Sequence, residues 1–254
     1  MRATEEPGLP GGRLLWRTAT VLELIEETPQ VRSLVLDVPG WPGHRAGQHV
    51  DVRLTGEDGY QAQRSYSIAS PPEERTLTLT VQRLSDGEVS PYLATAVVPG
   101  DQFEIRGPIG GHFVWTTEMG GPLFLIAGGS GIAPLMAMLR HRQAVGSQIP
   151  ALLLYSSRTN NDIIYRDELE QLAAAGNGLS VIHTITDIPW PSWAGYTRRI
   201  DAAMLTEVGI PPAEHPHIYI CGPTGLVEAA ARLLVELGHD PTAIKTERFG
   251  PTGT

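Results

Sequence analysis

Two pairs of segments in this 254-residue chain combine residue types that hold anions and flat rings. The first pair is Arg64-Ser65-Tyr66-Ser67 and Gly87-Glu88-Val89-Ser90. Arg64 brings a guanidinium, Tyr66 an aromatic face and Ser67 a hydroxyl. Ser90 is placed as an N-cap, with Pro91 as the first residue of a helix running to Ala96. A helix start behind a glycine offers free amides to an anion, so this pair suits a pyrophosphate. Taken alone, Arg64 to Ser67 is better read as an ordinary edge strand with one buried face.

The second pair is Gly128-Gly129-Ser130-Gly131, between Ile126-Ala127 and Ile132-Ala133-Pro134, and Cys221-Gly222-Pro223 after the apolar run from Ile218. Glycines between a strand and a helix let backbone amides approach a pyrophosphate, although a glycine-rich turn is often only a tight turn. Proline stands where the dinucleotide fingerprint of separate Rossmann domains has its last glycine. Cys221 ends its run at a strand's carboxyl end, where open sheets bind ligands. Without context, a lone buried cysteine is more often a small core residue.

These segments need elements to position them. From Arg13 to about Trp115 the chain reads as six short strands separated by Gly, Pro and Asp turns: Leu14 to Leu24, Val31 to Val38, His49 to Leu54, Ala62 to Ala69, Arg75 to Leu84 and Gln102 to Arg106. Period-two alternation is clearest in Leu77, Leu79 and Val81 against Thr76, Thr78 and Thr80. Six strands with almost no helix predict a closed antiparallel barrel. After Met119-Gly120-Gly121-Pro122, five apolar runs alternate with helical spacing: Leu123 to Ala127, Ala151 to Tyr155, Val181 to Ile185, Ile218 to Cys221 and Ile244 to Phe249. Ile132, Leu135, Met136 and Leu139 form one helical stripe, and Leu226 to Leu237 another, with Gly238 placed to cap it. The fold class is therefore β plus α/β: a six-stranded antiparallel barrel, then a five-stranded parallel sheet flanked by helices. Expected boundaries are a flexible tail at 1–12, the barrel domain at 13–117 and the α/β domain at 118–254.

In their order along the chain, these motifs resemble the ferredoxin-NAD(P)H reductase family of flavoproteins over about residues 13 to 254. Gly107-Pro108-Ile109-Gly110 followed by Phe113 is similar to the turn that closes that family's barrel, and Glu247-Arg248-Phe249 to its last strand. The resemblance implies that Arg64, Ser65, Tyr66, Ser67, Val81, Gly87, Val89, Ser90 and Phe249 hold a flavin. It further implies that Gly128, Gly129, Ser130, Gly131, Arg158, Thr186, Asp187, Cys221, Gly222 and Pro223 hold a nicotinamide dinucleotide. Ser67 is expected to hydrogen-bond the flavin near N5, Cys221 to bracket the nicotinamide, and Glu247 to serve the accompanying proton or hold the Ser67 hydroxyl. FAD is the expected flavin because Gly87 to Ser90 suits a pyrophosphate, although an FMN phosphate could use the same helix start. Asp187 follows Thr186 where NADPH-using members carry arginine, so NADH is the expected donor, with Arg158 and the Arg198-Arg199 pair as counterweights.

What this implies is a reductase that takes hydride from NADH (or NADPH) onto FAD and passes electrons to a separate acceptor: a ferredoxin, a heme or molybdenum protein, or an oxygenase component. A free-flavin reductase and a non-catalytic redox or nucleotide sensor are the alternatives. With one cysteine, an iron-sulfur step is expected to belong to a partner. The histidines show no i, i+4 pair, so no metal is expected. A net charge of −9, with neither half basic, argues against nucleic acid. No apolar stretch approaches the length of about 18 residues that spans a membrane, and the N-terminal residues do not read as a signal peptide, so a cytoplasmic protein is expected.

Overall fold

The computed structural model describes residues 14–249, so the tail expected at 1–12 lies outside the described residues. Six strands come first: β1 (Trp16–Thr28), β2 (Val31–Asp37), β3 (His49–Thr55), β4 (Gln61–Ser67), β5 (Leu77–Gln82) and β6 (Gln102–Ile109). They form one antiparallel sheet in the order β4-β3-β6-β1-β2-β5. An antiparallel bridge from Ile68 to Leu79 joins its two edges and closes the barrel. Leu34, Leu36, Val50, Val52, Leu79, Val81 and Ile105 fill the interior.

Three expectations change here. Gly107, Pro108 and Ile109 belong to β6 rather than to a turn, and the chain turns only at Gly110. The segment after Ser90 is a single π turn, Tyr92–Ala96, that drives Leu93 into the barrel core. Ser90 does not cap it; its hydroxyl folds back to accept from the Leu84 amide at 3.2 Å. Finally, β5 is buried on both faces, because Thr80 bonds Ser33 at 2.8 Å and also meets the Tyr165 hydroxyl from the second half of the chain.

That second half holds β7 (Leu123–Gly128), α1 (Ile132–Ala144), β8 (Ala151–Ser157), α2 (Arg166–Ala174), β9 (Leu179–Ile185), α3 (Ala202–Val208), β10 (His217–Pro223), α4 (Thr224–Glu236) and β11 (Ile244–Phe249). All five strands are parallel, in the order β11-β10-β7-β8-β9. Gly238 ends α4 as expected: its amide bonds Val235 and the His239 amide bonds Leu234, both at 3.0 Å, the paired bonds of a Schellman cap.

Helix α1 departs from the amphipathic expectation, since Ile132 through Leu139 are all buried. One side of it packs on the sheet and the other on the barrel, and a single cluster joins Leu135, Met136 and Leu139 to Phe113 and Trp115. Around this seam lie directional bonds. Arg140 grips Glu168 of α2 through two bonds of 2.7 and 2.6 Å and donates at 2.8 Å to the Ala69 carbonyl of the barrel. His141 Nδ1 meets Glu73 at 2.7 Å, and the Tyr219 hydroxyl donates to the Val114 carbonyl at 2.6 Å.

Removing one partner of a largely buried charge pair strands the other, at roughly 3–5 kcal/mol when both are fully buried. Glu168 keeps 38% of its side chain in solvent, so Arg140→Ala should cost less, about 2 kcal/mol. A lower urea midpoint, followed by tryptophan fluorescence, checks this.

Candidate active site

Strands β8 and β9 lie on one side of β7, and β10 and β11 on the other, so the sheet reverses direction between β7 and β10. Open α/β sheets bind ligands at the carboxyl ends of strands flanking such a reversal. The Gly128–Gly131 turn and Cys221-Gly222-Pro223 sit there side by side. Their backbones nearly touch: a Cβ on Gly131 would lie 2.2 Å from the Cys221 carbonyl oxygen and 2.6 Å from Gly222 Cα. Gly129, at φ +53°, faces open space. Its carbonyl accepts from the buried Tyr155 hydroxyl at 3.1 Å, and the same hydroxyl accepts from the Ile164 amide at 3.3 Å. Tyr155 thus pins the turn, a role that the apolar run around it concealed from sequence.

Cys221 is fully buried, between Ala127 on β7 and Glu247 on β11 in register. Burial first, and then the charge of Glu247, push its thiol well above the ordinary value, so it stays protonated as a neutral wall rather than a nucleophile. Glu247 itself is pushed up to about 7 by burial. Phe249 packs against the cluster that contains Cys221 and Ala69. Ala69 lies two residues beyond Ser67, so this cluster reaches from β10 and β11 to the chain just after β4. The Gly129–Gly131 turn also lies beside β5, which carries the buried Val81.

On the barrel, Ser67 is buried and its Oγ has no hydrogen-bond partner. An orphaned buried hydroxyl at the strand end is what a missing ligand atom would leave. Ser65 is used differently from the expectation, donating to Asp51 at 2.7 Å while Arg106 holds the other Asp51 oxygen at 2.6 Å. Tyr66 is half-buried, and burial raises its phenol. Arg64 is about half exposed and pairs with Glu88 at 3.2 Å. Val89 is fully buried, and a Cβ on Gly87 would strike the Ser90 hydroxyl at 2.8 Å.

Arg158, Thr186 and Asp187 come together at the ends of β8 and β9. The Thr186 amide donates to Ser157 at 3.0 Å, the Asp187 amide to Arg158 at 2.8 Å, and the Asp187 carboxylate lies 3.9 Å from the Arg158 guanidinium. Ser157 is buried with an unpartnered hydroxyl and was missed, since nothing in Tyr155-Ser156-Ser157 separates a site serine from a strand serine. Arg198 is turned away, bonded to Asp201 at 2.8 Å.

Known proteins share the two halves of this fold. The family model described as oxidoreductase FAD-binding domain matches residues 19–115, and that described as oxidoreductase NAD-binding domain matches residues 125–232. An NADH-cytochrome b5 reductase 1 from Aspergillus terreus is 33% identical over 80% of the chain and 69% of its own length. The chain belongs to the ferredoxin-NAD(P)H reductase family. A glycine betaine monooxygenase reductase subunit from Pseudomonas aeruginosa is 32% identical over 91% of this family member, which spans 63% of that subunit's length. Among solved structures, the FAD/NAD-binding domain of a nitric oxide dioxygenase from Vibrio cholerae superposes with a TM-score of 0.81 and 28% identity, covering 92% of this reductase-family chain and 99% of its own. No described helix is long and apolar enough to cross a membrane.

Glu247 sets a pH dependence. Its folded-state pKa of about 7 lies above the ordinary 4.5, so its neutral form is the one that folding favours. Its contribution is complete below about pH 4.5 and is lost as pH rises through about 7. Glu247→Gln should therefore gain in Tm relative to the parent as pH rises across that window, then hold a constant difference above it; thermal melts in a pH series provide the measurement.

Proposed function

We propose that this chain takes hydride from NADH onto FAD held by the barrel and hands the electrons to a separate acceptor protein. The observation that carries this reading is the Gly129–Gly131 turn, which lies beside β10 with its buried Cys221, beside β11 and beside barrel strand β5, to which the chain just after the orphaned Ser67 hydroxyl is bridged. These residues fit the group. Arg64 would meet the flavin diphosphate, Tyr66 would offer its ring, and Ser67 would bond the flavin edge. Gly129 leaves room for the dinucleotide, and Cys221 and Phe249 would bracket the space between the rings. FAD, when bound, supplies an acceptor for hydride and a store from which electrons leave. The protein's share is to orient, to exclude water and to offer a proton, for which Glu247 is poised near neutrality.

For the acceptor, the names of the two relatives support an oxygenase component or a heme protein; a ferredoxin or a molybdenum protein fits the same chemistry. The purified protein should be yellow and should bleach on adding NADH without air. A colourless protein that reduces added flavin would instead be a free-flavin reductase, and no reaction would indicate a sensor. Arg64→Ala should lose about tenfold in flavin affinity, the low end for a charge-assisted bond because Arg64 is half exposed. Cys221→Ala should keep its flavin and slow the bleaching in stopped flow.

NADH is the proposed donor because Asp187, beside Arg158 at the ends of β8 and β9, would repel a 2′-phosphate bound there, and the Aspergillus relative is named for NADH. Arg158 beside it offsets part of that charge. Asp187→Ala should therefore raise kcat/KM for NADPH about tenfold by freeing Arg158, whereas Arg158→Ala should deepen the NADH preference. Equal use of both coenzymes by the parent protein would overturn the assignment of Asp187.

A further inference from the structure

The barrel half of the site holds an anion of its own where the flavin diphosphate is proposed to bind. One carboxylate oxygen of Glu88 accepts from Arg64 at 3.2 Å, and the other accepts from the Tyr60 hydroxyl at 2.7 Å. The three residues come from three segments: the turn between β3 and β4, strand β4, and the loop after β5. Glu88 is not free to drift, because the residues around it are anchored. Val89 is fully buried, the Gly87 amide bonds Leu84 at 3.1 Å, and the Ser90 hydroxyl accepts from the Leu84 amide. The bond to Glu88 also raises the Tyr60 phenol, so Tyr60 remains a donor.

We infer that Glu88 is an affinity-determining residue for the flavin: it competes as an internal carboxylate for Arg64, and a dinucleotide diphosphate must displace it to bind. The inference rests on the reading of Arg64 as a diphosphate ligand. A diphosphate bound at Arg64 meets two costs that a neutral residue at 88 would not impose. The Arg64–Glu88 pair must open, and the released carboxylate stays within a few ångströms of two phosphate charges. An exposed pair is worth little, but like charges held that close at a partly screened surface repel enough to change affinity by about a factor of ten. The chain is thus set to hold FAD less tightly than its arginine alone would allow.

The test measures FAD release from the purified holoprotein on dilution, read as recovery of flavin fluorescence. Glu88→Gln keeps the side-chain shape and removes the charge, and it should tighten FAD about tenfold. Tyr60→Phe removes one of the two bonds holding the carboxylate in place and should change affinity by about threefold or less. In an Arg64→Ala background the gain from Glu88→Gln should shrink, because the competition is for Arg64. The urea midpoint of the Glu88→Gln holoprotein should rise by no more than the tenfold tightening of FAD accounts for, about 1.4 kcal/mol, separating competition from altered folding. If Glu88→Gln leaves FAD affinity unchanged or weaker while Arg64→Ala weakens it, the competition is overturned and the diphosphate reading stands. If Arg64→Ala keeps FAD at the parent's affinity, both fall.

Discussion

The backbones of two turns, one after β7 and one after β10, pass each other at a distance that leaves no room for a side chain. Gly131 lies against the Cys221 carbonyl, and a Cβ on Gly222, at φ +152°, would come within 2.9 Å of the Gly128 oxygen. From this single constraint most of the site follows. It fixes how far apart the ends of β7 and β10 can be, and it holds the buried Cys221 in register between Ala127 and Glu247. It also leaves Gly129 as the member of the turn that faces outward. Tyr155 completes the arrangement from below by tying the turn to the start of α2.

Around that contact the apolar surroundings raise two acids above their ordinary values. Cys221 is a thiol because it is buried beside Glu247, and Glu247 straddles neutrality because it is itself partly buried. Such a patch suits uncharged ring systems, with the charged groups at its margins. Arg64 and Glu88 sit on the barrel side, and Arg158 and Asp187 at the far end of the sheet.

The strands were legible because their alternation and apolar runs are local signals. The six barrel strands and five parallel strands fall where Leu77-Thr78-Leu79, Ala151 to Tyr155 and similar runs predict them. What sequence could not supply came from contacts between distant segments. Ser90 looks like a cap but serves Leu84, because the π turn draws the chain inward. Thr78 and Thr80 look solvent-facing but are buried, Thr80 under Tyr165 of the second half of the chain. The pairing of Arg64 with Glu88 joins residues 24 apart and leaves no local trace. Arg158 and Asp187 were each noticed, but only the parallel pairing of β8 with β9 makes them neighbours.

The burial of α1 on every side has a consequence for how the chain acquires its shape. A chain made from its N-terminus completes β1 to β6 before α1 emerges, and until then Phe113 and Trp115 have no partner for the surface that α1 later covers. Nor can the parallel sheet bury the opposite side of α1 without the barrel. The two halves therefore owe part of their cores to each other, and neither buries its share of the seam alone.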